Sequence, residues 1–195
     1  CSFGDIGCTS FFPAKPLGCY GDGGSIFTDD DNLAEILKSI RIHGTGADKY
    51  HNIRVGINGR LDTIQAAILI TKLKVFSNEV ELRNKVAEQY NDNLKDSFRL
   101  QNIPSGYISS WAQYSILCNS DSHRNSVIKK LNDKNIPNAI YYSIPLHLQK
   151  VYEQLNYKKG DLLICEDISS RIISLPMHPY LSNDEIDKIC NAILN

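Results

Sequence analysis

An α/β unit followed by a smaller α+β unit is the fold class this sequence predicts, on three observations. Two strand-like stretches around a lysine-bearing connection open the chain and run into an amphipathic helical stretch. A helical pattern from Leu61 to about Lys95 is then too long for one ordinary helix. Beyond it, strand-like and helix-like stretches alternate to the end, the pattern of a small sheet covered by helices. The expected division is 1–76 for the first unit and 77–195 for the second.

Residues 1–28 read as two short strands around Ser10-Phe11-Phe12-Pro13-Ala14-Lys15-Pro16-Leu17-Gly18, with Gly21, Gly23 and Gly24 following. Proline fixes φ and glycine lets the backbone bend, so Lys15 is expected on a stiff, turn-rich frame. Asp29-Asp30-Asp31-Asn32 offers N-cap chemistry for a helix with Leu33, Ile36, Leu37 and Ile40 on one face. His43-Gly44-Thr45-Gly46 ends it. The stretch 44–60 is polar, contains glycine and lacks periodicity, which predicts an irregular loop; a loop that long inside a compact domain is usually functional. From Leu61 the apolar positions Ile64, Ile68, Leu69, Leu73, Phe76 and Val80 recur at helical spacing, with a break or bend expected at Ser77-Asn78. Val86, Tyr90 and Leu94 carry the pattern into the second unit.

There, Gln113–Cys118 predicts a strand, Asp121–Asp133 a helix, Ala139–Tyr142 a short strand, 161–170 a helix, Arg171–Leu175 a strand and Asn183–Leu194 a final helix. Trp111, Gln113 and Tyr114 read first as core of this unit, and His178 as a packed residue.

The chain has 195 residues, is 42% hydrophobic and carries a net charge of −1, so it can bury a core and has no global basic field for nucleic acid. No apolar run approaches the ~18 residues of a membrane helix and no signal peptide opens the chain. Partners are therefore expected to include neither nucleic acid nor membrane, and the expected location is cytoplasmic. Six cysteines, at 1, 8, 19, 118, 165 and 190, form no C-x-x-C pair and have no histidine at metal spacing; the even count leaves disulfides open, but a chain this long does not need them, which favours reduced thiols. Gly21-Asp22-Gly23-Gly24 is not a P-loop, because no G-K-[ST] closes it, and no G-x-S-x-G is present.

A lysine held this firmly can act as a nucleophile that forms an imine with a carbonyl or with pyridoxal phosphate, and partial burial or a nearby cation would lower its pKa for that task. The competing reading is a solvated loop lysine. Asn58-Gly59-Arg60 is the second candidate site: Asn58 offers two amide donors, and the Arg60 guanidinium can fork to a carboxylate or phosphate. Its competing reading is an N-G turn whose arginine caps carboxylates such as Asp62. His43 at a helix end would interact with the dipole without catalytic duty.

These segments, with Arg41-Ile42-His43-Gly44, Gly56-Ile57-Asn58-Gly59-Arg60-Leu61-Asp62-Thr63-Ile64-Gln65-Ala66-Ala67, Trp111-Ala112-Gln113-Tyr114 and Ser174-Leu175-Pro176-Met177-His178-Pro179, resemble in order the sugar aminotransferases of the DegT–DnrJ–StrS group. The resemblance implies the C-terminal part of an aspartate-aminotransferase-like (fold type I) transferase that uses pyridoxal 5'-phosphate. It implies Lys15 as the Schiff-base lysine and proton shuttle, Ser10 as a phosphate ligand and Asn58 as a phosphate ligand for a partner subunit's cofactor. Ser10 has the alternative of satisfying a local turn. Arg60, Tyr141 and Tyr142 would contact a nucleotide-sugar substrate, with the aromatic rings stacking on base or sugar; aromatic residues in a strand are also common in a core. A dehydratase branch of the group carries histidine in place of the lysine, so Lys15 favours amino transfer, with glutamate the expected donor. The subgroup resembles enzymes acting on nucleotide-linked 3-keto sugars, including uronates, used in surface polysaccharide and amino-sugar biosynthesis. An intact member is expected to be a homodimer.

The chain begins at Cys1 and its only methionine is Met177. Against the group, it starts at the strand before the lysine, so a C-terminal fragment of weak or absent activity on its own is expected. The alternative is a non-catalytic remnant, or an interaction subunit that pairs with a separate N-terminal half; a sensor that binds the cofactor without turnover is a third reading.

Overall fold

The structure, a computed structural model, describes residues 3–195; Cys1 lies outside the described residues. The chain divides into two compact units, Cys1–Ser77 and Asn78–Asn195.

In the first unit, β1 (Gly7–Ser10) and β2 (Gly24–Phe27) pair antiparallel, with Gly7 opposite Phe27 and Ser10 opposite Gly24. The lysine segment is their connection. Helix α1 (Asp31–Arg41) follows, capped by Asp30, whose carboxylate accepts from the N–H groups of Asn32 at 2.7 Å and Leu33 at 3.1 Å. No residue of α1 is buried, so the face carrying Leu33, Ile36, Leu37 and Ile40 lacks full cover within this chain. Residues 42–62 form a loop braced by the isolated bridges Ile42↔Asn58 and Thr45↔Asn52.

Helix α2 (Thr63–Leu94) runs without the break expected at Ser77-Asn78, although the boundary between the units falls there. Neither serine nor asparagine removes a backbone donor as proline does, and helical hydrogen bonding continues through both.

The second unit holds a three-stranded antiparallel sheet in the order β3 (Arg99–Leu100), β4 (Tyr114–Leu117), β5 (Ile172–Leu175). Around it lie α3 (Asp121–Asp133), α4 (Leu163–Arg171) and α5 (Asn183–Leu194). A capping box fixes the start of α5: the Ser182 hydroxyl accepts from Glu185 N–H, while the Glu185 carboxylate accepts from Ser182 N–H. Strand β3 and two short 3-10 turns, Leu146–Leu148 and Lys150–Leu155, had no sequence signal of their own. The expected strand Ala139–Tyr142 is reduced to a single bridge, Ala139↔Ser174, because the chain turns at Tyr141 and Tyr142.

The core belongs to this unit. Val86, Ala87, Tyr90 and Leu94 from α2 meet Tyr114 and Ile116 of β4, Val127 and Leu131 of α3, Ile173 of β5 and Ile186, Ile189 and Ile193 of α5. Tyr90 stacks on Tyr114 with ring centroids 4.7 Å apart, a contact worth about 0.5–1.5 kcal/mol beyond its burial. Both phenols find acceptors, Tyr90 on the Pro176 carbonyl at 3.0 Å and Tyr114 on Asn91 Oδ1 at 2.7 Å, and burial pushes both above the ordinary tyrosine pKa. Trp111 is buried as expected, whereas Gln113 and His178 are exposed: Gln113 precedes the first paired residue of β4. Cys118 and Cys190 lie in the core, where burial pushes each thiol up to about 11.

No helix of the described residues is long and apolar enough to cross a membrane. Leu131, fully buried between α3 and the sheet, tests the core directly: Leu131→Ala should cost about 2–5 kcal/mol, read as a lower urea midpoint by circular dichroism.

Candidate active site

The connection between β1 and β2 is built from its base upward. Phe11 N–H donates to the Gly23 carbonyl at 2.8 Å, extending the hairpin by one rung, and Cys19 N–H donates to the Phe11 carbonyl at 2.8 Å. Cys19 is completely buried, its thiol within 3.0 Å of the Phe11 carbonyl and 2.9 Å of the Gly21 carbonyl, and plugs the base of the loop. At the tip, Lys15 N–H donates to the Phe12 carbonyl at 2.8 Å, closing a turn with Pro13 at its second position, where the fixed φ of proline suits it. Gly18 has no room for a side chain, since a Cβ would stand 2.6 Å from the carbonyl oxygens of both Phe12 and Pro13.

Helix α2 holds this loop from outside. Tyr20 N–H donates to Gln65 Oε1 at 2.8 Å, and Lys72 Nζ donates to the Gly18 carbonyl at 2.5 Å. The Lys72 ammonium also lies 5.8 Å from the Tyr20 ring centroid, within the range of a cation–π contact.

Lys15 therefore rides the tip of an anchored loop. Its side chain is exposed in this chain rather than partly buried, because only the base of the loop is covered. Among the described residues its amine makes no hydrogen bond or ion pair, unlike the amines of Lys38, Lys72 and Lys130. Ser10 ends β1, exposed, and its hydroxyl oxygen accepts from Phe12 N–H at 3.2 Å; that local turn leaves the hydroxyl proton to be donated elsewhere.

Asn58 and Arg60 sit together in the braced loop. Ile57 N–H donates to the Ile40 carbonyl and Gly59 N–H to the Arg41 carbonyl, both at 2.8 Å, so this segment satisfies carbonyls that the end of α1 leaves open. Asn58 Oδ1 accepts from Arg60 Nε at 3.0 Å. The arginine is thus engaged by asparagine, not by Asp62, and both side chains remain exposed with amide and guanidinium donors to spare. His43 is exposed in a left-handed conformation at φ 60°, with its N–H on the Ile57 carbonyl at 2.9 Å. No hydrogen bond among the described residues joins the Ser10–Lys15 pair to the Asn58–Arg60 pair.

Tyr141 and Tyr142 belong to the second unit and are exposed, not core. They line an open basin of about 1030 Å³ together with Ile144, Leu146, Leu162 and Ile164. No lysine or arginine lines it, so it suits rings and apolar edges, and phosphate charge would have to be met elsewhere. Gln65 and Lys72 were missed as loop anchors by sequence reasoning. A polar residue one helical turn or two from another, on a face that also carries Ile68 and Leu69, was the available signal.

The model of the DegT/DnrJ/EryC1/StrS aminotransferase family matches residues 1–194. The chain belongs to this family. It is 44% identical over 196 aligned positions to the UDP-2-acetamido-2-deoxy-3-oxo-D-glucuronate aminotransferase of Pseudomonas aeruginosa, covering 100% of this chain and 53% of that protein. The crystal structure of a DegT DnrJ EryC1 StrS aminotransferase from Brucella abortus superimposes with a TM-score of 0.91 at 49% identity, covering 98% of this chain and 51% of that one. The structure of NtdA from Bacillus subtilis with bound cofactor PMP superimposes with a TM-score of 0.88 at 27% identity, covering 98% and 46%. The fold is that of the C-terminal part of these aminotransferases, and the chain spans about half the length of the curated relatives it matches.

Within this family member, Gln65→Ala removes the acceptor for Tyr20 N–H. The exposed amide can turn to water, so the cost should be modest, about 1 kcal/mol. Amide hydrogen exchange should nevertheless quicken across 15–20 while the second unit is unchanged.

Proposed function

We propose that this chain supplies the lysine-bearing part of a pyridoxal-phosphate-dependent aminotransferase that moves an amino group onto a nucleotide-linked keto sugar. The observation that carries the reading is an exposed amine, without a partner among the described residues, on an externally anchored loop, in a chain whose residues 1–194 match the aminotransferase family. The residues fit the cofactor in kind: Lys15 offers a primary amine for its carbonyl, and the Ser10 hydroxyl and Asn58 amide offer donors for its phosphate. When bound, the cofactor supplies an electron sink for the carbon that exchanges its amino group. Lys15 would hold the cofactor and, once released, move the proton at the reacting carbon.

The substrate class follows from the relative in Pseudomonas aeruginosa, whose name specifies a UDP-linked 3-oxo sugar. Arg60 would meet a carboxylate or phosphate, and Tyr141 and Tyr142 would stack on the base or sugar ring, which the basin's apolar lining suits. An amino acid, glutamate by the resemblance, would be the donor, and the cytoplasm the place of action. The remnant and interaction-subunit readings are not favoured, since the relatives over this length are named as aminotransferases.

Exposed apolar side chains support a role against further protein surface. Val55, Ile57, Ile64 and Ile70 of the first unit are 94%, 63%, 74% and 62% exposed, large apolar side chains that a further surface would cover. A second copy, with Asn58 reaching the partner's cofactor, and an N-terminal half are the two surfaces the reading calls for.

Borohydride reduction of the chain with pyridoxal phosphate should place the adduct chiefly on the peptide holding Lys15, and Lys15→Ala should abolish it. Even labelling of all exposed lysines, seen by mass spectrometry, would remove the assignment. Light scattering should give a two-chain or mixed assembly, and a lone monomer at working concentration would remove the partner surfaces.

A further inference from the structure

One carboxylate outside the residues assigned so far ties helix α4 to the turn before it, which Lys158 and Asp161 close locally, with Lys158 N–H on Asp161 Oδ2 at 2.8 Å and Asp161 N–H on the Lys158 carbonyl at 3.1 Å. Helix α4 follows Leu162, whose side chain cannot accept from the first N–H groups of a helix. Glu166, the fourth residue of α4, turns back instead. Its two oxygens each accept from Gly160 N–H at 2.9 Å, and Oε1 also accepts from Leu162 N–H at 3.2 Å and from His147 Nε2 at 3.0 Å. The Glu166 and His147 side chains are only 13% and 6% exposed. The Gly160 amide above all holds the Glu166 carboxyl below the ordinary glutamate pKa; desolvation opposes it, and His147 and the Leu162 amide each add a smaller lowering effect. His147 lies in the 146–148 turn and meets the Tyr157 ring edge-on at 6.2 Å. Gly160 sits at φ 102°, a conformation that favours glycine.

Every residue from 150 to 165 is exposed, so apolar burial does little to hold this stretch. Yet Leu162 and Ile164 from it, and Leu146 from the neighbouring turn, form part of the basin that Tyr141 and Tyr142 line. We propose that Glu166 is a positioning residue: with His147 it forms a clasp that fixes the 157–162 turn and so gives the basin its wall. The consequence for substrate binding rests on the reading of the basin as part of a nucleotide-sugar pocket. The clasp itself does not.

Amide hydrogen exchange on the whole chain tests the clasp. Glu166→Gln keeps the size but replaces an acceptor with a donor, and should speed exchange at 158–162 by about tenfold while β4 and α5 stay at wild-type rates. His147→Gln, which retains an N–H near the place of Nε2, should stay within about twofold of wild type, whereas His147→Leu should speed the same amides. Wild-type rates at 158–162 in both Glu166→Gln and His147→Leu would overturn the clasp; if Glu166→Gln loosens β4 and α5 as well, His147→Leu alone decides. UDP-N-acetylglucosamine, titrated while the Tyr141 and Tyr142 ring signals are followed, separates the two layers. Binding weakened about tenfold by Glu166→Gln and kept within about twofold of wild type in His147→Gln supports both. A loosened turn with unchanged affinity, or no binding to wild type, leaves the clasp standing and overturns the basin's assignment.

Discussion

An amine is only as well placed as the backbone beneath it, and the backbone beneath Lys15 is held both by bonds within its own loop and by two from α2. Gln65 and Lys72 reach Tyr20 and Gly18 from 45 and 54 residues further along the chain, while Cys19 plugs the base between the strands. Proline and glycine make the loop stiff and tight, but stiffness alone does not choose a direction. The hydrogen bonds from α2 supply that choice, because they tie the loop to an element whose own geometry is regular. Everything proposed for Lys15 depends on this anchoring.

Apolar burial is distributed unevenly, and the two units differ accordingly. The second unit surrounds β4 with side chains from α2, α3 and α5 and buries aromatic, aliphatic and thiol groups with their polar atoms satisfied. Among the described residues of the first unit, Cys19 and Leu69 are the buried apolar side chains, and α1 buries none. A helix with a strong apolar stripe that is only partly covered is ordinarily completed by another surface. Lys15, Ser10, Asn58 and Arg60, all of that unit, accordingly remain open to solvent in this chain.

Legibility in the sequence followed the range of the forces involved. Helices α3 and α5 begin and end where the sequence placed them, and the structure shows Ser120, Ser182 and Glu185 capping them within a single turn. The hairpin around Lys15 was legible for the same reason. The strand expected at Ala139–Tyr142 was not formed, because alternation of apolar and aromatic residues cannot tell a paired strand from an exposed turn beside one. Of the candidate site, the pairing of Asn58 with Arg60 lay close enough in sequence to be anticipated as one loop. The clasp at Glu166 was not anticipated, since Gly160 and Leu162 lie only six and four residues before it but His147 lies 19 residues away and its approach to α4 has no local signature.

The chemistry carried by Lys15, Ser10, Asn58 and Arg60, the order of the elements and the family membership were determined by the sequence itself, because residue type, spacing and capping act over a few positions and survive in any folded context. Tertiary structure alone decided that Lys15 stands exposed on an anchored tip, that Tyr141 and Tyr142 face an open basin and not a core, and that Glu166 gathers two amides of one turn and the His147 ring. Those outcomes depend on which distant groups come within hydrogen-bonding or van der Waals reach, and such contacts arise only once the chain has closed on itself.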